Sequence, residues 1–244
     1  MKFNKVVRNR AIIIFFTIML LLFPSVIFCA RPHGSRAQKS APGLDSVLSH
    51  MDAAARALKT VSAKLTYTTV TVLVNDRTTQ YGELFFKKGK TPEVLVRFIK
   101  PNPKQILFKK NRAEIYYPKI NQIQEYDLEH RRDLLQQFLL LGFGSETAEL
   151  KQSYHLHYLG EQKLGNETTP VLELIPAEKQ VATQLSKVDL WISEDSWLPV
   201  QQEFFEPSGD YLIARYSDVK VNRTLPSSIF KLHPKPGTER VKMN

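Results

Sequence analysis

Between Lys64 and Leu128 the chain is a series of short runs of strand-forming residues, cut at close intervals by turn residues. Lys64–Val74 is rich in Thr, Val and Tyr, and Asn75-Asp76 follows as a turn. Gln80–Lys88, Val94–Ile99, Gln105–Lys109, Ala113–Tyr117 and Gln122–Leu128 come next, separated by Gly89, Pro92, Pro101, Pro103, Asn111 and Pro118. Spacing of this kind predicts a meander of hairpins. The pattern resumes at Tyr154, where Tyr154-His155-Leu156-His157-Tyr158 alternates, and Gly165-Asn166 turns the chain into Val171–Ile175. Val188, Leu190 and Ile192 then alternate with Asp189, Trp191 and Ser193. Two further turns, Glu194-Asp195-Ser196 and Glu206-Pro207-Ser208-Gly209, set off the runs that carry Phe204 and Leu212–Tyr216.

About ten strands are expected against two helices. One helix is written in the spacing of Leu44, Val47, Leu48, Met51, Ala55, Leu58 and Val61. The other lies in Asp133–Gly144, where Leu134, Leu135, Phe138 and Leu141 form an apolar stripe closed by Gly142 and Gly144. Several strands are apolar on both faces: Leu84 and Phe86 against Phe85, and Val94, Val96 and Phe98 against Leu95 and Ile99. An antiparallel sheet this wide has to curl. Two helices cover part of its concave face and hardly fill it. The result is a tightly packed small barrel or a hollow one with a lid, and hollow β-structures hold ligands. The Leu134–Leu141 stripe is then either a core plug or that lid. As a lid, it puts Leu135, Phe138 and Leu141 in the empty cavity and displaces them when an apolar ligand enters.

Lys2, Lys5, Arg8 and Arg10 form a basic head before the apolar run Ala11–Phe28, the pattern of an export signal. Residues 1–30 are therefore read as a signal, and residues 31–43, rich in Ser, Pro, Ala, Gly and basic groups, as a linker. Residues 44–244 are read as one domain. Residues 11–28 are also just long enough to remain as a membrane anchor, and Val26-Ile27-Phe28-Cys29 resembles a lipoprotein box. Export places the body in the periplasm, away from nucleic acid. Cys29 is the sole cysteine, so the body has no disulfide and no cysteine-ligated metal.

Of the formal charge of +10, six basic residues fall in residues 1–37 with no acid, leaving +4 for the remainder. Residues 87–112 hold nine basic residues (Lys87, Lys88, Lys90, Arg97, Lys100, Lys104, Lys109, Lys110 and Arg112) and a single acid, Glu93. That stretch is a solvated face with lysines guarding strand edges, or a patch for anionic headgroups or an acidic partner. His155 and His157 share a strand face without an evident third metal ligand. No nucleophile elbow, zincin motif or carboxylate pair is present, and no cofactor is expected.

Taken in order, several segments resemble the LolA/LolB-like family of outer-membrane lipoprotein carriers. They are Gly82-Glu83-Leu84-Phe85-Phe86-Lys87-Lys88, the strand Val94–Pro101, Ile115-Tyr116-Tyr117-Pro118, Val188–Ile192 with Leu198-Pro199, and Ser228-Ile229-Phe230 through Lys235-Pro236-Gly237-Thr238. The resemblance implies a mainly β (α+β) fold. Its core is an incomplete, curved antiparallel barrel with an N-terminal helix and a helical lid over a hydrophobic cavity. It implies no catalysis. It implies a monomer that binds lipoprotein acyl chains or another lipid, and passes them from an inner-membrane donor to an outer-membrane acceptor. Leu84, Phe86, Val96 and Phe98, with the lid residues, would line the cavity. The family holds its lid shut with an arginine; Lys87-Lys88 stands there here, with Lys88 at the matching position, and lysine lacks the planar fork. The other reading of the same scaffold is an envelope sensor that binds lipid or lipoprotein and signals to a membrane partner.

Overall fold

The structure is a computed structural model and describes residues 43–128, 141–144 and 146–243. These fall in a single compact unit, Ser40–Asn244. Twelve strands form one sheet: β1 (Thr60–Thr71), β2 (Asp76–Lys87), β3 (Glu93–Lys100), β4 (Lys104–Lys109), β5 (Arg112–Tyr117), β6 (Gln122–Asp127), β7 (Tyr154–Leu164), β8 (Glu167–Pro176), β9 (Lys187–Ile192), β10 (Pro199–Phe205), β11 (Tyr211–Val221) and β12 (Glu239–Met243). Their spatial order is β12-β6-β5-β4-β3-β2-β1-β11-β10-β9-β8-β7. The two outermost strands do not meet, so the sheet is a curved, unclosed half-barrel.

Every neighbouring pair is antiparallel except β12 with β6. Register aligns the apolar residues into continuous rows on the inner face. One row runs Ile106–Val96–Leu84–Ala63, the next Lys104–Phe98–Gly82–Leu65–Tyr216. A third continues Tyr67–Ala214–Gln202–Leu190–Leu172–Tyr158. Gly82 stands at a register shift between β2 and β3. A Cβ built there would come within 2.3 Å of the Arg97 carbonyl oxygen, so only glycine lets the two backbones approach as the sheet bends.

The first helix, α1 (Leu44–Ala57), lays Val47, Leu48 and Met51 on the inner face of β7–β10, against Leu172, Leu174, Val188, Leu190 and Ile192. It ends earlier than the sequence periodicity suggests. Leu58 is already extended and Val61 belongs to β1, although both keep the helical spacing and are buried. Among the described residues two shorter helices follow, α2 (Thr147–Ser153) and α3 (Lys179–Ala182). Asp52 of α1 accepts hydrogen bonds from the Thr147 backbone N–H and hydroxyl, both at 2.7 Å, which pins the start of α2 to α1.

The outer face corrects one inference from the sequence. Leu95 and Leu107 are buried on that face beneath Phe230, with Leu225, Ile229 and Leu232 around it. The chain after β11 therefore crosses the back of the sheet, through a 3₁₀ turn at Ser227–Phe230, before adding β12 to the far edge. The double-sided apolarity of β3 reflects this strap as well as the hollow.

Candidate functional site: an apolar cavity in the half-barrel

The inner face is not filled everywhere. A cavity of about 290 Å³ lies on the half built from β1, β3, β4, β10 and β11. Its apolar lining comes from Leu65 and Tyr67 (β1), Val96 and Phe98 (β3), Ile106 (β4), Phe204 (β10), and Leu212 and Ala214 (β11). Leu185, from the segment between α3 and β9, closes one side. At about 30 Å³ per water in the liquid the space equals some ten waters, but an apolar lining leaves water without partners. It stands at the small end of the roughly 300–1,000 Å³ range of ligand pockets.

The polar groups on the lining are few: Lys104, Glu206, Gln184 and the hydroxyls of Tyr67 and Tyr216. Burial pushes the Lys104 ammonium below its ordinary range. Its Nζ lies 4.8 Å from the centre of the Phe98 ring, a cation–π contact, and among the described residues no carboxylate forms an ion pair with it. Burial, with a contribution from Glu206, raises the Tyr67 hydroxyl to about 12, so it stays a neutral donor at any physiological pH. Tyr216 is raised as well, chiefly by burial. Its hydroxyl donates to Gln202 Oε1 (2.8 Å), and Gln202 Nε2 donates to the Leu141 carbonyl (2.6 Å).

That buried chain anchors the residues that follow 129–140. Leu141 packs in the cluster around α1, and Phe143 meets the Tyr216 ring edge-on, centroids 5.0 Å apart. Gly142 and Gly144 have φ of +82° and +74°, and a Cβ on Gly142 would press to 2.7 Å from the Pro199 ring. The Gly-Phe-Gly sequence thus bends the chain so that Phe143 enters the core.

Of the residues named from the sequence, Val96 and Phe98 line the cavity, and Leu84 and Phe86 are buried beside it in the cluster that holds Leu58 and Phe143. Leu141 is buried on the inner face. Leu134, Leu135 and Phe138 lie outside the described residues. Lys88 Nζ donates to the Ala55 carbonyl at 2.8 Å, on the last turn of α1, where a cation complements the helix end. Lys87, at the end of β2, is half-buried. Within the basic stretch, Arg97 pairs with Glu83 and Lys109 with Glu93. His157 Nδ1 lies 3.2 Å from Glu173, and among the described residues no cluster of three metal-ligating side chains occurs. Sequence reasoning missed Tyr67, Lys104, Phe204, Leu212 and Tyr216. Their apolar or aromatic character was visible, but only strand register brings β1, β4, β10 and β11 around one space.

A family model described as an uncharacterized-protein-like family matches residues 95–222, more than half of the chain. No curated protein matches. Among solved structures, the chain is similar to an uncharacterized conserved protein from Thermus thermophilus, with TM-score 0.54 and 12% identity over 82% of this chain and 98% of that one. It is also similar to a LolA superfamily protein from Nitrosomonas europaea, with TM-score 0.39 and 18% identity over 79% and 99% of the two chains. A third is MucB of Pseudomonas aeruginosa, solved in complex with MucA, with TM-score 0.46 and 12% identity over 77% of this chain and 60% of that one. At such identities the likeness is one of fold alone. Among the described residues no helix is long and apolar enough to cross a membrane.

Proposed function

This chain belongs to the uncharacterized-protein-like family matched over residues 95–222, and we propose that its half-barrel is a carrier for an acyl chain. The carrier is non-enzymatic and periplasmic, exported by the signal in residues 1–30, with residues 31–43 as a linker ahead of the domain. It takes up lipoprotein acyl chains, or those of a related lipid, from an inner-membrane donor and moves them toward an outer-membrane acceptor. The observation that carries this is the 290 Å³ apolar cavity on the inner face of the sheet. Burying each methylene contributes about 0.8 kcal/mol, so even a short stretch of acyl chain is held firmly. Release then needs a competitor for the same space, and the stripe Leu134, Leu135 and Phe138 supplies one.

Two measurements test the reading. Protein purified from its native envelope should carry extractable lipid, identified by mass spectrometry, and Ala214→Trp, which fills the cavity, should lower that lipid at least several-fold. Equal lipid in both proteins, or none in the first, overturns it. Phe138→Glu should abolish uptake of a fluorescent acyl probe while leaving the melting temperature within a few degrees; unchanged uptake would remove the lid role. Lipid that stays with the protein and never reaches acceptor vesicles, together with a co-purifying membrane protein, would favour the sensor reading instead.

A further inference from the structure

Leu73 is 93% exposed, and its neighbours Val72 and Val74 are 52% and 67% exposed. Three consecutive aliphatic side chains at the tip of the β1–β2 hairpin form a projection that a solvated turn does not need. Alternation of strand direction places this tip at the same end of the sheet as the turns 101–103, 118–121 and 206–210. Hydrogen bonds tie those turns in pairs. Asp210 Oδ1 accepts from the Val72 N–H at 2.8 Å, and Lys119 Nζ donates to Asn102 Oδ1 at 3.0 Å. Lys104 and Glu206 put the cavity at this end too.

The same end carries Ile99 and Ile120, 53% and 65% exposed. Lys100 and Lys119 adjoin them, and Lys100 Nζ sits 4.9 Å above the ring of Tyr81. The acids here include Asp76, Glu206 and Asp210, with Glu178 on the β8–β9 connection and Glu239 at the start of β12. Asp210 holds the tip, and Asp76 accepts from the Thr78 hydroxyl at the hairpin base. Lys100 and Tyr81 pair five positions back along β2 from Asp76; an aliphatic tip outermost, with ammonium groups and a tyrosine set behind it, is the layering of a bilayer interface: hydrocarbon first, then phosphate.

We infer that this end of the half-barrel docks on a phospholipid bilayer. Val72, Leu73 and Val74 enter the acyl zone, and Lys100 and Lys119 lie at the level of anionic phosphates. The cavity mouth then faces the membrane. The inference depends on the carrier reading only for what passes through that mouth.

The test uses the full chain with Cys29→Ser, so that one introduced cysteine is the only thiol. Leu73→Cys, labelled with a polarity-sensitive dye, is mixed with vesicles of phosphatidylethanolamine and phosphatidylglycerol. Asn166→Cys, in the β7–β8 turn at the opposite end, is the control. A blue shift and protection from an aqueous quencher are expected at 73 and not at 166. Adding Val74→Asp should reduce the response at 73 to the level at 166, with no change in melting temperature. No shift at 73, equal shifts at both positions, or a shift at 73 that requires envelope proteins in place of lipid, overturns the inference. Lipid found in the purified protein without a shift at 73 overturns docking and leaves the carrier reading intact. A shift at 73 in protein that holds no lipid supports docking and counts against the carrier.

Discussion

Gly82 has no side chain, and its place in the sheet depends on that. It sits between Phe98 and Leu65 in an inner row where both neighbours line the cavity. The obstacle to a side chain is backbone, the Arg97 carbonyl, which cannot rotate aside. Gly82→Ala should therefore destabilise the protein by roughly 1–3 kcal/mol, read as a lower midpoint in urea. Lys104 has a different role. Among the described residues its half-buried ammonium forms no ion pair and lies against the Phe98 ring, so Lys104→Met should hold or raise stability while weakening binding of an acyl probe with an anionic head relative to a neutral one. Equal weakening for both probes would exclude a headgroup role. The sequence showed Gly82 as part of a motif but gave no sign that it meets a backbone. Lys104 was one of nine basic residues, and only its position opposite Phe98 distinguishes it from lysines on the strand edges.

On the outer face of β7–β10 the register lines up His157, Glu173, Asp189 and Glu203. Lys187 bridges two of them, 2.9 Å from Glu173 and 3.0 Å from Asp189, and caps the Phe205 ring. The hydrogen bonds from Lys187 and then His157 hold Glu173 below the usual carboxylate range. Burial pushes Asp189 and Glu203 up, and Asp189 Oδ1 is buried without a hydrogen bond. Glu173 thus stabilises the fold above its unfolded pKa, and that contribution is lost as pH falls through its lower folded pKa. The raised pair acts oppositely: their cost is present above their folded pKa values and is relieved as pH falls toward the unfolded ones. Lys187→Met should cost about 1–3 kcal/mol at neutral pH, and urea titrations near pH 4 should show a smaller loss, since the orphaned carboxylates can then protonate. Strand elements were largely legible, because alternation is a local signal: Val94–Ile99 became Glu93–Lys100, and Val188–Ile192 became Lys187–Ile192. The strand Glu239–Met243 was not, since an edge strand that reads Glu-Arg-Val-Lys-Met has no apolar face to show. The overrun of α1 has a related cause: Leu58 and Val61 keep the helical spacing but are buried by a change of direction.

At the scale of the molecule, the hollow half and the filled half are complementary. Helix α1 plugs the inner face of β7–β10, and the cavity remains over β1, β3 and β4 with the inner edges of β10 and β11. The strap sealed by Phe230 frees the inner face for this use, because the outer apolar residues of β3 and β4 are already covered. Phe230→Ala should cost about 3–5 kcal/mol, seen in thermal melting, while lipid per folded molecule stays unchanged; a parallel loss of lipid would mean that the back of the sheet also shapes its hollow. The expectation of a curved sheet rested on counting strands against helices, which is global information and survived errors at individual boundaries, whereas its incomplete closure was implied by the family resemblance alone. The cavity's extent did not survive in the same detail, because which side chains face one another depends on pairings between distant strands.

Those distant pairings also constrain when the molecule can form. Thr60 bonds to Arg223, 163 positions away, β1 is zipped to β11, and β12 adds to an edge laid down more than a hundred residues earlier. Early hairpins, β1 with β2 among them, can fold locally, but the other side of β1 has no partner until β11 and nearly all of the chain have emerged. Assembly is therefore slow and late, as topology of this kind dictates. Were the chain threaded through a translocation pore, it would stay loosely structured throughout the passage and mature only on the far side.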